Sequence, residues 1–299
     1  MAIAQSRQVA DALTERTGCP VEIVGVTTLG DVSRAQLTQI GGTGVFVSAL
    51  REALHRGEVD LAVHSLKDLP TQTAGPAAGI VLAAVPARDD PRDALVARDG
   101  AKLGDLPAGA RIGTGSLRRA AQLLALRGDL RCVPIRGNAG TRLGKVAEGE
   151  LDGVVLAYAG LARIGRVPAV TQVFEPDEML PAPGQGALAV ECRDGEPELA
   201  ALLAAVSDEA SLAAVSAERS LLEALAAGCS APVGAYAEGT GQLRMRAAVL
   251  STDGTRVLRA HGSAPGADAR RLGADLAAEL LRRGASEIIS SPMSGQQQE

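Results

Sequence analysis

The sequence predicts an α/β protein built from two similar α/β lobes and a smaller α+β domain at the C-terminal end. Three observations carry this. Helix-period and strand-period apolar patterns alternate through the first two thirds of the chain, as layered α/β folds require. The stretches RGEVDLAVHS (56–65) and EGELDGVVLA (148–157) echo each other, each passing from a helix end through Gly-Glu-x-Asp into an apolar strand and a loop. Beyond residue 207 a long helical pattern gives way to three strand-like runs and a closing helix.

Taken in order, VFVSALREALHRG has apolar residues at helical spacing and stops at Gly57. EVDLAVHS then reads as a buried strand that leads into the loop LKDLP. ARIGTGSLRRAAQLLALRGD reads as strand, turn and helix, with Ser116 as N-cap and Gly128 as stop. RCVPIRGN supplies a short strand and TRLGKVAEG another helix. The helical run DEASLAAVSAERSLLEALAAG leads into a cysteine loop, LAAGCSAPVG. Strands PVGAYAEG, QLRMRAAVLS and RVLRAHGS follow, the last two joined by an Asp-Gly hairpin signal at 253–254. ADARRLGADLAAELLRRGA closes the domain, and the tail SPMSGQQQE is too poor in apolar residues to fold and is expected to be disordered.

Composition narrows the function classes. The chain has 299 residues, enough for two or three domains, and is 46% hydrophobic. It has no Trp, two Phe and two Tyr, so its cores rest on Ala, Val, Leu and Ile, and platforms for stacking bases are hardly available. A net charge of −5 and a pI near 5.4 argue against a nucleic-acid or anionic-membrane partner. No long apolar run spans a bilayer, no signal-peptide pattern opens the chain, and the expected location is the cytoplasm. Cys19, Cys132, Cys192 and Cys229 are scattered and read as free thiols. With only His55, His64 and His261, no histidine cluster points to a metal.

Charge is uneven where chemistry is expected. Between Arg111 and Arg142 lie seven arginines (111, 118, 119, 127, 131, 136, 142) against one acid, Asp129. Arg127 and Arg131 read as a solvated face. Arg118 and Arg119 fall in the first turn of a helix, where the macrodipole disfavours cations. Beside the free N–H groups of GTGS (Thr114, Ser116) they read as an anion site with two added guanidinium groups. In RGNAGTR, Arg136 and Arg142 flank a Gly-rich turn (Gly137, Asn138) that favours close backbone approach to a ligand. VHSLKDLP places Ser65, Lys67 and Asp68 at the carboxyl end of a strand, where open α/β sheets bind ligands, and a Lys–Asp ion pair is the plainer alternative there. His64 reads as a buried structural histidine. GTRLGKV lacks the spacing of a phosphate-binding loop, and GGTGVF is a lone glycine cluster.

Seven motifs in order, VHSLKDLP, DDPRDALV, IGTGSLRRAAQL, IRGNAGTRLGK, LAYAGLARIG, LPAPGQGALAVECR and AERSLLEALAAGCSAPVGAYAE, resemble the hydroxymethylbilane synthase (porphobilinogen deaminase) family from residue 1 to about 290. The resemblance implies two similar hinged α/β lobes flanking a cleft, like solute-binding proteins, plus a small α+β domain. It implies residues 1–86 with 187–205 for the first lobe, 92–181 for the second, 208–290 for the third domain and 291–299 for the tail. It implies a monomer that condenses four porphobilinogen molecules head to tail, with loss of ammonia, on a dipyrromethane cofactor held by a thioether to Cys229. That thiol follows a helix C-terminus, which does not favour a thiolate. Porphobilinogen that has lost ammonia is electrophile enough to react with it. Cys19, Cys132 and Cys192 fit inert buried thiols. Asp68 resembles the residue that stabilises the pyrrole cation. Ser65, Lys67, Ser116, Arg118, Arg119, Arg136, Arg142 and Arg163 resemble the carboxylate-binding set, with Gln185 and Phe46 as further contacts and Thr114, Gly137 and Asn138 within the same motifs.

The chain departs from the family in places. Gln39 and Thr43 stand where many relatives have lysines. The opening MAIAQS matches only the end of a family strand reading roughly R-I-G-T-R-x-S-x-L-A, so the natural start is expected upstream. Two other readings accommodate the same residues: a two-lobed non-catalytic binding protein for an anionic metabolite, and an N-terminally truncated inactive member.

Overall fold

The computed structural model describes residues 1–26, 44–71, 79–227 and 231–290. In chain order its elements begin α1 (Ala2–Thr17), α2 (Gly44–His55), β1 (Leu61–Ser65), β2 (Ile80–Ala84), β3 (Asp93–Ala97), β4 (Arg111–Gly113), α3 (Leu117–Leu126), β5 (Arg131–Val133), α4 (Ala139–Ala147) and β6 (Gly153–Ala157). They continue with α5 (Tyr158–Arg163), β7 (Gln172–Val173), β8 (Leu188–Arg193), α6 (Pro197–Ala204), α7 (Glu209–Ala224), β9 (Val233–Glu238), β10 (Gln242–Leu250), β11 (Val257–Pro265), α8 (Ala269–Arg282) and α9 (Ala285–Ser290). The chain divides into two compact units, Met1–Asp89 with Ala187–Leu212, and Asp90–Gly186 with the chain from Ala213 onward.

The first unit holds a three-stranded antiparallel sheet in the order β1-β8-β2. Its middle strand arrives last, from beyond the second lobe. Leu188, Val190 and Cys192 on β8 pack against Val9 and Leu13 of α1 and Leu203 of α6. Gly18 ends α1 in the left-handed region (φ 71°), a conformation glycine adopts without penalty. Under α2, Leu54, Ala62 and Ile80 form a second apolar cluster. The expected strand EVDLAVHS begins only at Leu61 and is alternately buried and half-buried. The reason is its place: among the described residues its other edge has no strand partner.

The second unit contains a five-stranded sheet, β5-β4-β6-β3-β7. β4 runs parallel to β5 and β6, while β3 is antiparallel to β6 and β7. Both faces are covered, so the strands are apolar without alternation. Leu95, Ile112, Val155 and Phe174 fill one face, and Ala94, Val96, Val154 and Leu156 the other. β6 thus lies inside its sheet and β1 at an edge, which separates the two halves of the sequence echo.

The same unit carries the antiparallel sheet β11-β10-β9. Leu243, Met245, Ala247 and Val249 alternate toward Ala217 and Leu221 of α7 and Leu272 and Leu276 of α8. On the opposite face Ala248 and Leu250 meet Ala121 of α3 and Leu180. Gly254, in the expected Asp-Gly turn, has φ +73°, and a Cβ there would lie 2.5 Å from the Ala121 carbonyl oxygen.

Candidate active site

In the first unit, β1 delivers its C-terminal end into a short 3-10 turn, Leu66–Asp68. Leu66 and Leu69 are buried and anchor the turn, and the Leu66 N–H donates to the Ala187 carbonyl at 3.0 Å. Ser65 Oγ accepts from Gln5 Nε2 at 2.6 Å. Lys67 and Asp68 are half-buried, and the Asp68 carboxylate has no hydrogen-bond or ion-pair partner among the described residues. Ser65 and Asp68 line a cavity of about 1120 Å³, together with Gln5, Val21 and Val63. Directly behind them His64 is buried, its Nε2 3.2 Å from Glu191 Oε2 but off the hydrogen-bond line. Glu191 is gripped by Arg51 through Nη2 and Nε at 2.6 and 3.0 Å. Burial alone would raise the Glu191 pKa, but His64 and Arg51 outweigh it and bring it down to about 2.

In the second unit the GTGS turn approaches its neighbour so closely that a Cβ on Gly115 would lie 2.8 Å from the Ile135 carbonyl oxygen. Thr114 Oγ1 accepts from the Ser116 N–H at 3.1 Å, and Ser116 caps α3 as expected, its side chain accepting from the Arg119 N–H at 3.4 Å. Arg118 and Arg119 are not surface groups. They are 3% and 6% exposed and turn inward onto Asp93, the first residue of β3, which is 0% exposed. Arg118 Nη1 donates to Asp93 Oδ2 and to the Leu180 carbonyl at 2.7 and 2.6 Å. Arg119 approaches Asp93 Oδ1 with Nε at 2.9 Å and Nη2 at 2.8 Å. Burial would raise Asp93, yet the two guanidinium groups hold it well below the usual carboxylate range. Gln185 is buried beside them, donating to Asp93 Oδ1 at 2.8 Å and to the Pro91 carbonyl at 2.7 Å. The Arg118 Nε is buried with no hydrogen-bond partner among the described residues.

The RGN turn lies nearby in the same unit. Gly137 has φ +104°, and Asn138 caps α4 by accepting from the Thr141 N–H at 2.9 Å. Arg142 Nε donates to the Gly137 carbonyl at 2.8 Å, and its pKa is lowered by burial and by the charge of Arg119. Arg136 is exposed without a partner among the described residues. Arg163 is half-buried, with Nη2 on the Gly186 carbonyl at 2.8 Å.

Two expectations are corrected. Arg127 is not a solvated side chain: it pairs with Asp129 at 2.6 Å and donates to the Leu103 and Leu106 carbonyls at 2.8 and 2.9 Å, tying α3 to the loop before β4. Cys19 is exposed and not a buried thiol, whereas Cys132 is half-buried and Cys192 buried. Burial pushes the Cys132 thiol up to about 11. Cys229, Gln39, Thr43, the tail 291–299 and the side chain of Phe46 lie outside the described residues. Asp93 is the functional candidate that sequence reasoning misses, although a carboxylate opening the apolar strand DALVA is a visible signal. Glu218 is a second: fully buried, it accepts from the Gly184 and Ala237 N–H groups at 2.6 and 2.8 Å and so holds the loop that carries Gln185.

Comparison with known proteins accounts for this assembly of residues. A family model described as "Porphobilinogen deaminase, dipyromethane cofactor binding domain" matches residues 1–201, and the family's C-terminal domain model matches 212–282. The porphobilinogen deaminase of Thermobifida fusca is 59% identical over 99% of this chain and 94% of its own length. Porphobilinogen deaminase 1 of Streptomyces coelicolor is 55% identical over 97% of this chain and 94% of its own. Among solved structures, the BvgS VFT2 domain of Bordetella pertussis overlaps 67% of this chain and 76% of its own at a TM-score of 0.40 and 21% identity, too slight a likeness to build on. With both domain models matched and relatives this close along nearly the whole length, the chain belongs to the porphobilinogen deaminase family.

Proposed function

We propose that this chain joins four porphobilinogen molecules head to tail, releases ammonia at each condensation and frees linear hydroxymethylbilane. The observation that carries the reading is the pair of family models, matched over 1–201 and 212–282. Family membership makes the chain a transferase of tetrapyrrole, and hence porphyrin and haem, biosynthesis. Its dipyrromethane cofactor supplies the covalent primer that the pyrrole chain extends.

The residues fit a primer and substrate rich in acetate and propionate. One buried carboxylate faces two buried guanidinium groups, and among the described residues Arg118 Nε lacks a partner and Arg136 stands free beside a glycine turn. Arg119, Arg136 and Arg142 hold carboxylates, Arg for its planar fork. Thr114, Ser116, Gly137 and Asn138 shape the two turns that present them, and Arg163 and Gln185 complete the set. Asp68, half-buried and unpaired among the described residues, accepts the pyrrole N–H and stabilises positive charge as ammonia departs, with Ser65 and Lys67 beside it. Cys229 carries the thioether.

No single helix among the described residues is long and apolar enough to cross a membrane. Work as a cytoplasmic monomer, without nucleic acid or membrane, belongs to this proposal, and the acidic net charge of −5 speaks against a polyanionic partner.

The test is the intact mass of the purified protein after exposure to porphobilinogen. Two pyrrole units on Cys229 are expected. Cys229→Ser should carry none and make no hydroxymethylbilane, whereas Cys19→Ser and Cys132→Ser keep both. An adduct mapped to another cysteine, or none at all, overturns the reading.

A further inference from the structure

We propose that Asp93 is a positioning residue that sets the charge of the arginine pair: it pins both guanidinium groups and leaves one positive charge for a substrate carboxylate to balance. The inference rests on the proposed function for the identity of the anion, but its charge arithmetic does not.

The geometry is that of one acid shared by two bases. Asp93 Oδ2 takes Arg118 and Oδ1 takes Arg119, with Gln185 donating to the same Oδ1. All four side chains are buried. Gln185 is neutral, so the cluster sums to one uncompensated positive charge, in a place where water cannot screen it. An unbalanced buried charge is costly unless an opposite charge arrives. The pKa of Arg142, in the same unit, is lowered by burial first and then by the charge of Arg119, so no acid among the described residues there offsets the pair. Beyond Asp93, the Arg119 side chain reaches, among the described residues, only the Val155 carbonyl and Gln185 Oε1, both at 3.3 Å. Those long contacts leave it capacity for an added anion. Asp93 also prevents the pair from repelling apart, so the guanidinium groups wait in place before the ligand comes, which is where preorganised charge is worth most.

The arrangement makes opposite forecasts for two substitutions. Asp93→Asn leaves two positive charges, and Arg118→Met leaves a neutral Asp93–Arg119 pair. The probe is succinate, a plain dicarboxylate, titrated against chloride at matched ionic strength while the melting temperature of the full chain is followed. An anion at about ten times its Kd raises Tm by roughly 2–3 °C in a protein of this size. The wild type should respond on that scale, Asp93→Asn more steeply from a lower starting Tm, and Arg118→Met by less than half. Asp93→Glu, which keeps the charge but adds a methylene, should respond like the wild type yet carry less dipyrromethane by intact mass.

A merely structural Asp93 would lower Tm without changing its response to succinate, and that result overturns the proposal. Should Asp93→Asn fail to fold, Arg118→Met decides alone: an undiminished response refutes the charge arithmetic. Failure of the functional reading looks different, since the wild type would then bind succinate but acquire no pyrrole from porphobilinogen.

Discussion

The buried triad beneath the Ser65–Asp68 turn offers a quantitative test. Glu191→Gln keeps the side chain's shape and removes its charge, leaving Arg51 buried without a counter-ion. In the folded chain Glu191 titrates at about 2 against an ordinary 4.5. At about 1.36 kcal/mol per pH unit, that gap is worth about 3 kcal/mol. Breaking a buried pair by removing one partner costs about 3–5 kcal/mol in general, so the two routes agree. A depressed carboxylate stabilises fully above its unfolded pKa and loses that contribution as pH falls through its folded one. The window here runs from about 4.5 down to about 2. Urea unfolding of wild type and variant should therefore differ by about 3 kcal/mol at neutral pH and by less than half of that at pH 3. Replacing both partners, with Arg51→Met and Glu191→Leu, should recover much of the loss, because neither charge is then stranded. A neutral-pH difference below about 1 kcal/mol, or one that ignores pH, refutes the argument.

Other consequences are as direct. Asp68→Asn should leave the dipyrromethane adduct in place but lower turnover by about 10²–10³; a loss under tenfold removes Asp68 as the stabiliser of the cation. Arg127→Leu deprives two carbonyls of their donor and should cost about 1–3 kcal/mol in urea unfolding, with activity per folded molecule unchanged. Gly137→Ala forces a φ of +104° on a residue with a Cβ, and about 1–3 kcal/mol of strain should loosen the turn. It should raise KM more than it lowers kcat, and steady-state kinetics that show the reverse refute the assignment of this turn to binding.

What the sequence shows and what it hides follow from range. Ser116 is readable as a cap because a cap acts within three residues. The Asp-Gly turn is readable for the same reason. The fate of Arg118 and Arg119 is not, because their partner Asp93 lies on another strand and is brought to them only by the order β4-β6-β3. Spacing places the two arginines on the first turn of α3, but only tertiary structure decides that they point inward. Arg127 is hidden likewise: its two carbonyl acceptors belong to a loop more than twenty residues earlier. β1 illustrates the converse. Its composition is that of an interior strand, while its half-burial depends on which neighbours stand beside it.

The late arrival of β8 bears on how the protein is made. β1 and β2 do not pair with each other; each pairs with β8, which leaves the ribosome only after the whole stretch from Val85 to Ala187 has been synthesised. At about 5–20 residues per second, the N-terminal strands wait roughly 5–20 s with their hydrogen-bonding edges unsatisfied. During that interval the five-stranded sheet of the second unit emerges with all its strands contiguous in sequence, and can close first. The three-stranded sheet, whose first strand is translated earliest, is therefore completed after the five-stranded one. Holding chaperones should find their substrate in this interval, on the nascent segment that will carry Ser65, Lys67 and Asp68.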